Sequence, residues 1–336
     1  MSSASNRIAI VGAGSWGTAL AIVLSPRFER IRLWAHETDL VQTMAAARVN
    51  DIFLPGYRLP VNVEPVLDLE LALADASVVL GVMPSRFARP VYRSMLPHLQ
   101  SGMRFVSATK GLETGSLLRM SEVARDVISE KFEPRIAVLS GPTFAREVAR
   151  SEPTALVISS TDSELAESIQ REFSGPTFRL YTNDDPTGVE IGAALKNTIA
   201  IGAGICHGLG LGNNSIAALI TRGLVEITRL AVAMGGHAPT LGGLAGLGDL
   251  VLTCTGDLSR NRTVGIELAK GRNLTDIVSS MTMIAEGVET TYAAVDLAQR
   301  FDVDLPITQQ MNSILRGGRS PREAIRDLME RNLKTE

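Results

Sequence analysis

Three glycines at fixed spacing limit the fold more than any other feature of the chain: Gly12-Ala13-Gly14-Ser15-Trp16-Gly17. They lie between a short apolar β-branched run, residues 7–11, and a helical pattern, residues 14–24. In that setting Gly12 permits a tight turn, Gly14 lets a pyrophosphate reach the backbone, and Gly17 lets helix and strand pack closely. The helix N-terminus then offers its unbonded N–H groups to the anion. The pattern predicts a strand–turn–helix unit that opens a dinucleotide-binding sheet.

The rest of the first half fits that expectation. Short apolar runs at residues 31–34, 77–82, 104–107, 136–139 and 154–158 alternate with helical patterns at 39–49, 86–96 and 117–129. Such alternation predicts an α/β fold with an N-terminal Rossmann-like, doubly wound, mostly parallel sheet and helices on both faces. Near residues 182–186 the character changes. Beyond them the periodicity is helical, at residues 189–207, 215–234, 262–270, 289–301, 306–316 and 321–332, with Gly-rich connections. A chain of 336 residues is longer than one core usually spans. We expect a dinucleotide-binding domain over residues 1–187 and an all-α substrate or catalytic domain over residues 188–336.

The end of the second strand bears on the cofactor. A carboxylate there usually accepts from the ribose hydroxyls of NAD. Here the chain runs Leu33-Trp34-Ala35-His36-Glu37, so no acid follows the strand directly. His36 suits a site near a 2′-phosphate, or stands as a solvated loop histidine. NADPH is expected to be accepted, along with NADH.

Three further places carry side chains with chemistry. Lys196 shares a helix face with Gly192, Ala200, Ala203 and Gly204, so something must approach that face closely. A lysine desolvated there has a depressed pKa and can act as a base; alternatively it snorkels out at a helix edge. Asp249 follows Gly242, Gly243, Gly246 and Gly248 and enters an apolar run. That predicts a semi-buried acid in need of a partner, for which Lys196 would serve. Ser259-Arg260-Asn261-Arg262 brings a hydroxyl, two guanidiniums and an amide to an expected helix start. The set suits a phosphate, and equally an N-capped helix with a solvated arginine. Lys110, Gly141 and Thr143 follow strands of the first half, where ligands gather in doubly wound sheets.

Several classes are disfavoured. A net charge of −3 argues against a partner recruited by bulk positive charge, nucleic acid above all. The two cysteines, Cys206 and Cys254, and the four histidines show no metal-ligand spacing, so no metal site is expected. Buried free thiols point to a reducing cytoplasm. Residues 8–26 carry no charge, but the glycine pattern accounts for them, and no membrane span is expected.

The segments GAGSWGTALA (12–21), ATKGLE (108–113), LSGPTFAREVA (139–149), GAALKNTIAIGAGICHGLGLGNNSIAALITRGLVEI (192–227), GLAGLGDLVLTCTGDLSRNRTVG (243–265) and IAEGVETT (284–291) occur in order. Together they resemble the bacterial-type NAD(P)-dependent sn-glycerol-3-phosphate dehydrogenases over residues 7 to about 320. The resemblance implies reversible hydride transfer between NAD(P)H and dihydroxyacetone phosphate, supplying glycerol 3-phosphate for phospholipids. It implies Lys196 as proton donor and acceptor, Asp249 as its support, and Lys110 in contact with substrate and cofactor. Gly141, Thr143, Ser259, Arg260 and Asn261 would hold the substrate, the last three at its phosphate. Ser15, Trp16, His36, Ala145, Arg260, Ile284 and Glu286 would bind the dinucleotide beside Gly12, Gly14 and Gly17. Trp16 stands where Tyr is also common in the family, and Thr143 where Ser is. The helical half, rich in small residues, suits a homodimer.

Overall fold

A computed structural model describes residues 6–281 and 285–333. Its strands are β1 (Arg7–Val11), β2 (Arg30–Trp34), β3 (Val49–Asn50), β4 (Leu54–Arg58), β5 (Val63–Val66), β6 (Val78–Gly81), β7 (Arg104–Ser107), β8 (Arg135–Ser140), β9 (Thr154–Ser159) and β10 (Phe178–Asn183). β3 and β4 pair as a small antiparallel hairpin. The others form one eight-stranded sheet in the order β10-β9-β8-β7-β6-β1-β2-β5. Only β8 and β9 pair antiparallel; the other pairings in that sheet are parallel. The direction of strand order reverses at β1, so the glycine turn that leaves β1 opens at the switch point, where such sheets hold ligands.

The helices of this half are α1 (Ser15–Leu24), α2 (Thr38–Ala47), α3 (Leu69–Leu73), α4 (Ser85–Met95), α5 (Met120–Ile128), α6 (Ala145–Ala149) and α7 (Ser163–Phe173). Both faces of the sheet are covered. Ile8, Ile10, Leu33 and Leu80 pack in one core, Ala9, Val11, Val79 and Phe105 in the other. Alternate residues of one strand thus serve opposite layers, as the pleat requires.

The structure adds the β3–β4 hairpin to the expected elements, where Val49 leaves the helical pattern of 39–49, and adds β5 and β10 as the two edges of the main sheet. Val63-Glu-Pro-Val66 contains a proline, which an edge strand tolerates because one row of its donors faces outward. β10 is exposed at alternate positions, so it lacks the continuous apolar run of the inner strands. α5 begins at Met120 rather than 117, because Leu112 and Arg119 pair as a short antiparallel bridge that holds the preceding residues in a loop.

The described residues after β10 are helical: α8 (Pro186–Gly208), α9 (Asn213–Ala233), α10 (Ala238–Leu241), α11 (Asp249–Thr255), α12 (Arg260–Ala269), α13 (Leu274–Ser279), α14 (Gly287–Arg300), α15 (Pro306–Leu315) and α16 (Pro321–Met329). A π-turn, Leu244–Gly248, leads into α11. α8 starts with Pro186 at its first position, and the Asp185 carboxylate accepts from the Gly188 N–H at 2.8 Å. It is buried from Gly188 to Cys206, with α9, α11, α12, α14 and α15 packed around it. Its length and apolarity would let it cross a membrane, yet it is enclosed by protein from Gly188 to Cys206.

The small-residue face of α8 has a definite occupant. A Cβ on Gly204 would lie 2.0 Å from the Arg262 carbonyl, and one on Gly265 would lie 2.0 Å from the Ile201 carbonyl. One on Gly192 would meet the Ala245 carbonyl at 2.9 Å. Backbone of α12 and of the π-turn therefore fills this stripe, and a ligand does not.

Candidate active site

A cleft of about 1180 Å³ runs along the carboxyl ends of β1, β2, β6, β7 and β8 and is closed by α8, α11 and α12. At one end lies the glycine turn. Gly12 has φ +119°, in the region that favours glycine, and a Cβ there would stand 2.7 Å from the Val82 carbonyl. A Cβ on Gly17 would lie 1.8 Å from the Gly12 carbonyl, which is the close helix–strand contact. A Cβ on Gly14 would meet nothing within 4 Å. Gly14 is also the N-cap of α1 and contributes no side-chain bond to its N–H groups. The turn therefore leaves an open cradle at a helix start with no side-chain cap, which fits a dinucleotide pyrophosphate. Gly12, Gly14, Ser15, Trp16, His36 and Ala145 line the cleft, and Gly17 lies behind it.

At the floor two lysines share one acid. α8 brings Lys196 and α11 brings Asp249, while Lys110 comes from the loop after β7. Lys196 Nζ donates to Asp249 Oδ1 at 2.5 Å and to Thr253 Oγ1 at 2.7 Å. Lys110 Nζ donates to Asp249 Oδ2 at 2.8 Å and to the Gly141 carbonyl at 3.3 Å. Thr253 Oγ1 donates in turn to the Asp249 carbonyl at 2.6 Å, one helical turn back. Asp249 is 0% exposed and Lys196 only 6%. Lys196 lines the cleft and Asp249 lies beneath it, so the acid is reached through its two lysines.

Burial pushes the Lys196 ammonium down to about 8; the Asp249 charge opposes that shift and the Lys110 charge adds to it. Two ammonium groups against one carboxylate leave the floor cationic, although the chain as a whole carries −3. An anionic substrate is drawn to such a site.

The far wall comes from the start of α12. The Ser259 hydroxyl accepts from the Arg262 N–H at 3.3 Å and caps the helix. Arg260 is exposed to the cleft. The Asn261 Oδ1 accepts from the Gly287 N–H at 3.0 Å, which turns its amide nitrogen away from α14. Half-buried Glu286 lines the cleft opposite, and burial raises its carboxyl against the pull of Arg260. Thr143 lines the cleft as well; Gly141, with φ +146°, supports Lys110 from behind through its carbonyl. Ile284 lies outside the described residues.

Two polar residues at the floor were not singled out by sequence. Thr253 and Asn197 both line the cleft, beside Asp249 and Lys196 respectively. Thr253 had a readable signal, a hydroxyl one turn after a lone acid on a helix.

Residues 7–166 match the family described as the N-terminus of NAD-dependent glycerol-3-phosphate dehydrogenase, and residues 185–326 match its C-terminus. The glycerol-3-phosphate dehydrogenase (NAD(P)+) of Koribacter versatilis is 58% identical over 98% of this chain and 99% of its own. That of Syntrophotalea carbinolica is 51% identical over 98% of this chain and 99% of its own. The crystal structure of the Coxiella burnetii glycerol-3-phosphate dehydrogenase superposes with a TM-score of 0.93 at 41% identity, covering 97% of this chain and 99% of that one. Cradle, cationic floor and full-length likeness agree: the chain belongs to the NAD-dependent glycerol-3-phosphate dehydrogenase family.

Proposed function

We infer that the cleft reduces dihydroxyacetone phosphate to sn-glycerol 3-phosphate, with Lys196 as the group that carries the proton. The observation that supports this role is the buried Lys196–Asp249–Lys110 cluster on the cleft floor. When bound, the reduced dinucleotide supplies the hydride. The protein supplies orientation, charge and the proton. A protonated lysine has three donors. Asp249 and Thr253 occupy two of those on Lys196, and the third is left for the substrate oxygen at C2. As the carbonyl becomes an alkoxide, Lys196 donates that proton, and its two lateral bonds persist. In the reverse direction the neutral amine takes the hydroxyl proton through its lone pair. Lys110 holds the other oxygen of Asp249, so the acid stays paired in both states.

Ser259, Arg260 and Asn261 are assigned to the substrate phosphate, and Gly141 and Thr143 to the wall around its carbon end. Gly12, Gly14, Ser15, Trp16, Gly17, His36, Ala145, Glu286 and Ile284 are assigned to the dinucleotide. The work is divided near residue 187, a boundary supported by the end of β10 at Asn183 and the start of α8 at Pro186. We place the enzyme in the cytoplasm, which suits the buried free thiols of Cys206 and Cys254. A homodimer through α9 is favoured by the exposed Val225 and Val232 on that helix.

The test is direct. Purified protein is mixed with dihydroxyacetone phosphate, and the loss of reduced-nicotinamide absorbance is followed with NADPH and NADH in parallel. Rapid oxidation is expected with at least one. In Arg260→Ala the Michaelis constant should rise about tenfold or more, because a bond to a charged group contributes roughly 1.5–3 kcal/mol. An unchanged Michaelis constant removes Arg260 from the phosphate site.

A further inference from the structure

Lys110 stands at the start of a segment that is tied down twice before it becomes α5. Leu112 and Arg119 pair as an antiparallel bridge, and the Glu113 N–H donates to the Leu118 carbonyl at 3.0 Å. The residues between them form a closed strap. One side of the strap is held to α4. Arg89 meets Glu113 with two parallel bonds, Nε to Oε1 at 2.8 Å and Nη2 to Oε2 at 2.9 Å.

The other side is held to α8. There Glu190, 3% exposed, accepts from Arg119 Nη1 at 2.6 Å, from the Ser121 N–H at 2.8 Å and from the Ser121 hydroxyl at 2.6 Å. Glu190 lies fewer than two turns before Lys196 on the same helix. A buried ion pair is a poor means of stabilisation, since an apolar pair of the same volume usually serves as well or better. Its use here therefore asks for another reason, and geometry supplies one. Whatever Glu190 grips is fixed in the frame of the helix that carries Lys196.

We propose that Glu190 is a positioning residue: by holding Arg119 and Ser121 it sets where the Lys110 ammonium stands against Asp249 and Lys196. The proposal rests on the reading that Lys196 carries the proton. Lys110 occupies the Asp249 oxygen that Lys196 does not use. If the strap slackens, Lys110 drifts, Asp249 is free to turn, and the bond that aims Lys196 is lost. A misplacement of this kind costs up to about 100-fold in rate.

The charged and titratable groups around Lys196 are Asp249, Lys110, Cys254 and Glu286. Those around Glu190 are Arg119 and Tyr92. Lys110 belongs to the first set and is steered from the second. Burial lowers the Lys196 value most, the Asp249 charge raises it and the Lys110 charge lowers it, so a displaced Lys110–Asp249 pair moves that value.

The experiment uses the full chain in three variants, Glu190→Gln, Ser121→Ala and Lys196→Ala. The kcat of glycerol 3-phosphate oxidation is recorded against pH across the Lys196 value of about 8, and dinucleotide affinity is titrated separately. Glu190→Gln keeps shape and removes charge; Arg119 retains Glu122 at 2.8 Å as a partner. It is expected to lower kcat about tenfold and to move the rise of kcat away from its wild-type pH. Dinucleotide affinity should stay within about twofold, as for uncoupled sites. Ser121→Ala should move both readouts in the same direction by less, and it carries the test if Glu190→Gln fails to fold. A variant with wild-type kcat and pH profile, whatever its melting temperature, reduces Glu190 to a structural staple and overturns the proposal. If Lys196→Ala is inactive while the other two behave as wild type, the proposal alone fails. If Lys196→Ala keeps its turnover, the proton-carrier reading fails and takes this proposal with it.

Discussion

Two glycine-rich surfaces in this molecule look alike as sequence and do opposite work. In the turn after β1, a Cβ on Gly14 would meet nothing within 4 Å, and the residue faces a cleft. On α8, Gly192 and Gly204 are covered by main chain of the π-turn and of α12, so close that a methyl group would overlap it. Missing side chains announce a close approach. They do not say whether the visitor is a ligand or the protein itself. The neighbouring chemistry separates the two cases. The first surface ends at the start of α1, which has no side-chain cap, the second in a buried carboxylate bracketed by lysines.

The largest test of the contrast is made at Lys196, where the packed helix meets the cleft. Lys196→Ala is expected to lower turnover by roughly 10²–10⁴-fold, the range of a lost general acid–base group, with dinucleotide affinity nearly unchanged. In the intact enzyme, oxidation requires the neutral amine, whose share grows as pH rises through about 8. Oxidation should therefore climb to a plateau above that pH, while reduction declines over the same interval. Flat profiles in both directions would sink the assignment.

Next in size is Gly204→Ala. The new methyl would lie 2.0 Å from the Arg262 carbonyl, which cannot rotate away. Overpacking against backbone falls at the upper end of the usual range, roughly 3 kcal/mol, read from denaturant midpoints. Gly14→Ala should do the reverse. Its stability is expected to stay within about 0.5 kcal/mol of wild type, while dinucleotide binding weakens about tenfold, near 1.4 kcal/mol. Equal losses of stability in the two variants would erase the distinction between the surfaces.

The smallest effect concerns a polar contact inside the packed half. Glu226 on α9 accepts from the N–H groups of Ile307 and Thr308 at 2.6 and 3.1 Å, at the start of α15. Burial raises its carboxyl from 4.5 to about 7. The folded state therefore favours the protonated form. The resulting stability is complete below 4.5 and is lost as pH rises through about 7. Glu226→Gln should flatten this slope, which amounts to roughly 1 kcal/mol per pH unit. Denaturation at mildly acidic and at neutral pH would reveal it, and an unaltered slope would mean that another group titrates over this interval.

Much of the frame was legible in the sequence because local rules govern it. The spacing of Gly12, Gly14 and Gly17 is set within one turn, and β–α alternation follows from covering both faces of a parallel sheet. The pairing of Lys196 with Asp249 was readable for another reason: a lone acid in an apolar run needs a counter-charge. Lys110 as a second partner of the same acid was not, since only the sheet brings the end of β7 to α11. The edge strands β5 and β10 escaped because they lack the inner strands' continuous apolar character. The occupant of the α8 stripe escaped because glycine is silent about its neighbours.

The enclosure of α8 also has a consequence for the order of events at the ribosome. This helix emerges with the length and apolarity of a bilayer-crossing segment. β8 and β9 touch it from the sheet side, but the helices that wrap it, α9, α11, α12, α14 and α15, all follow it in the chain. Until synthesis passes Leu315, at the end of α15, part of the helix has no protein cover. At usual elongation rates that interval is on the order of ten seconds. Over that time the nascent chain presents a sticky apolar rod, a natural client for a holding chaperone. Slowing translation between Gly208 and Leu315 should therefore cost more folded enzyme than slowing it anywhere in the sheet.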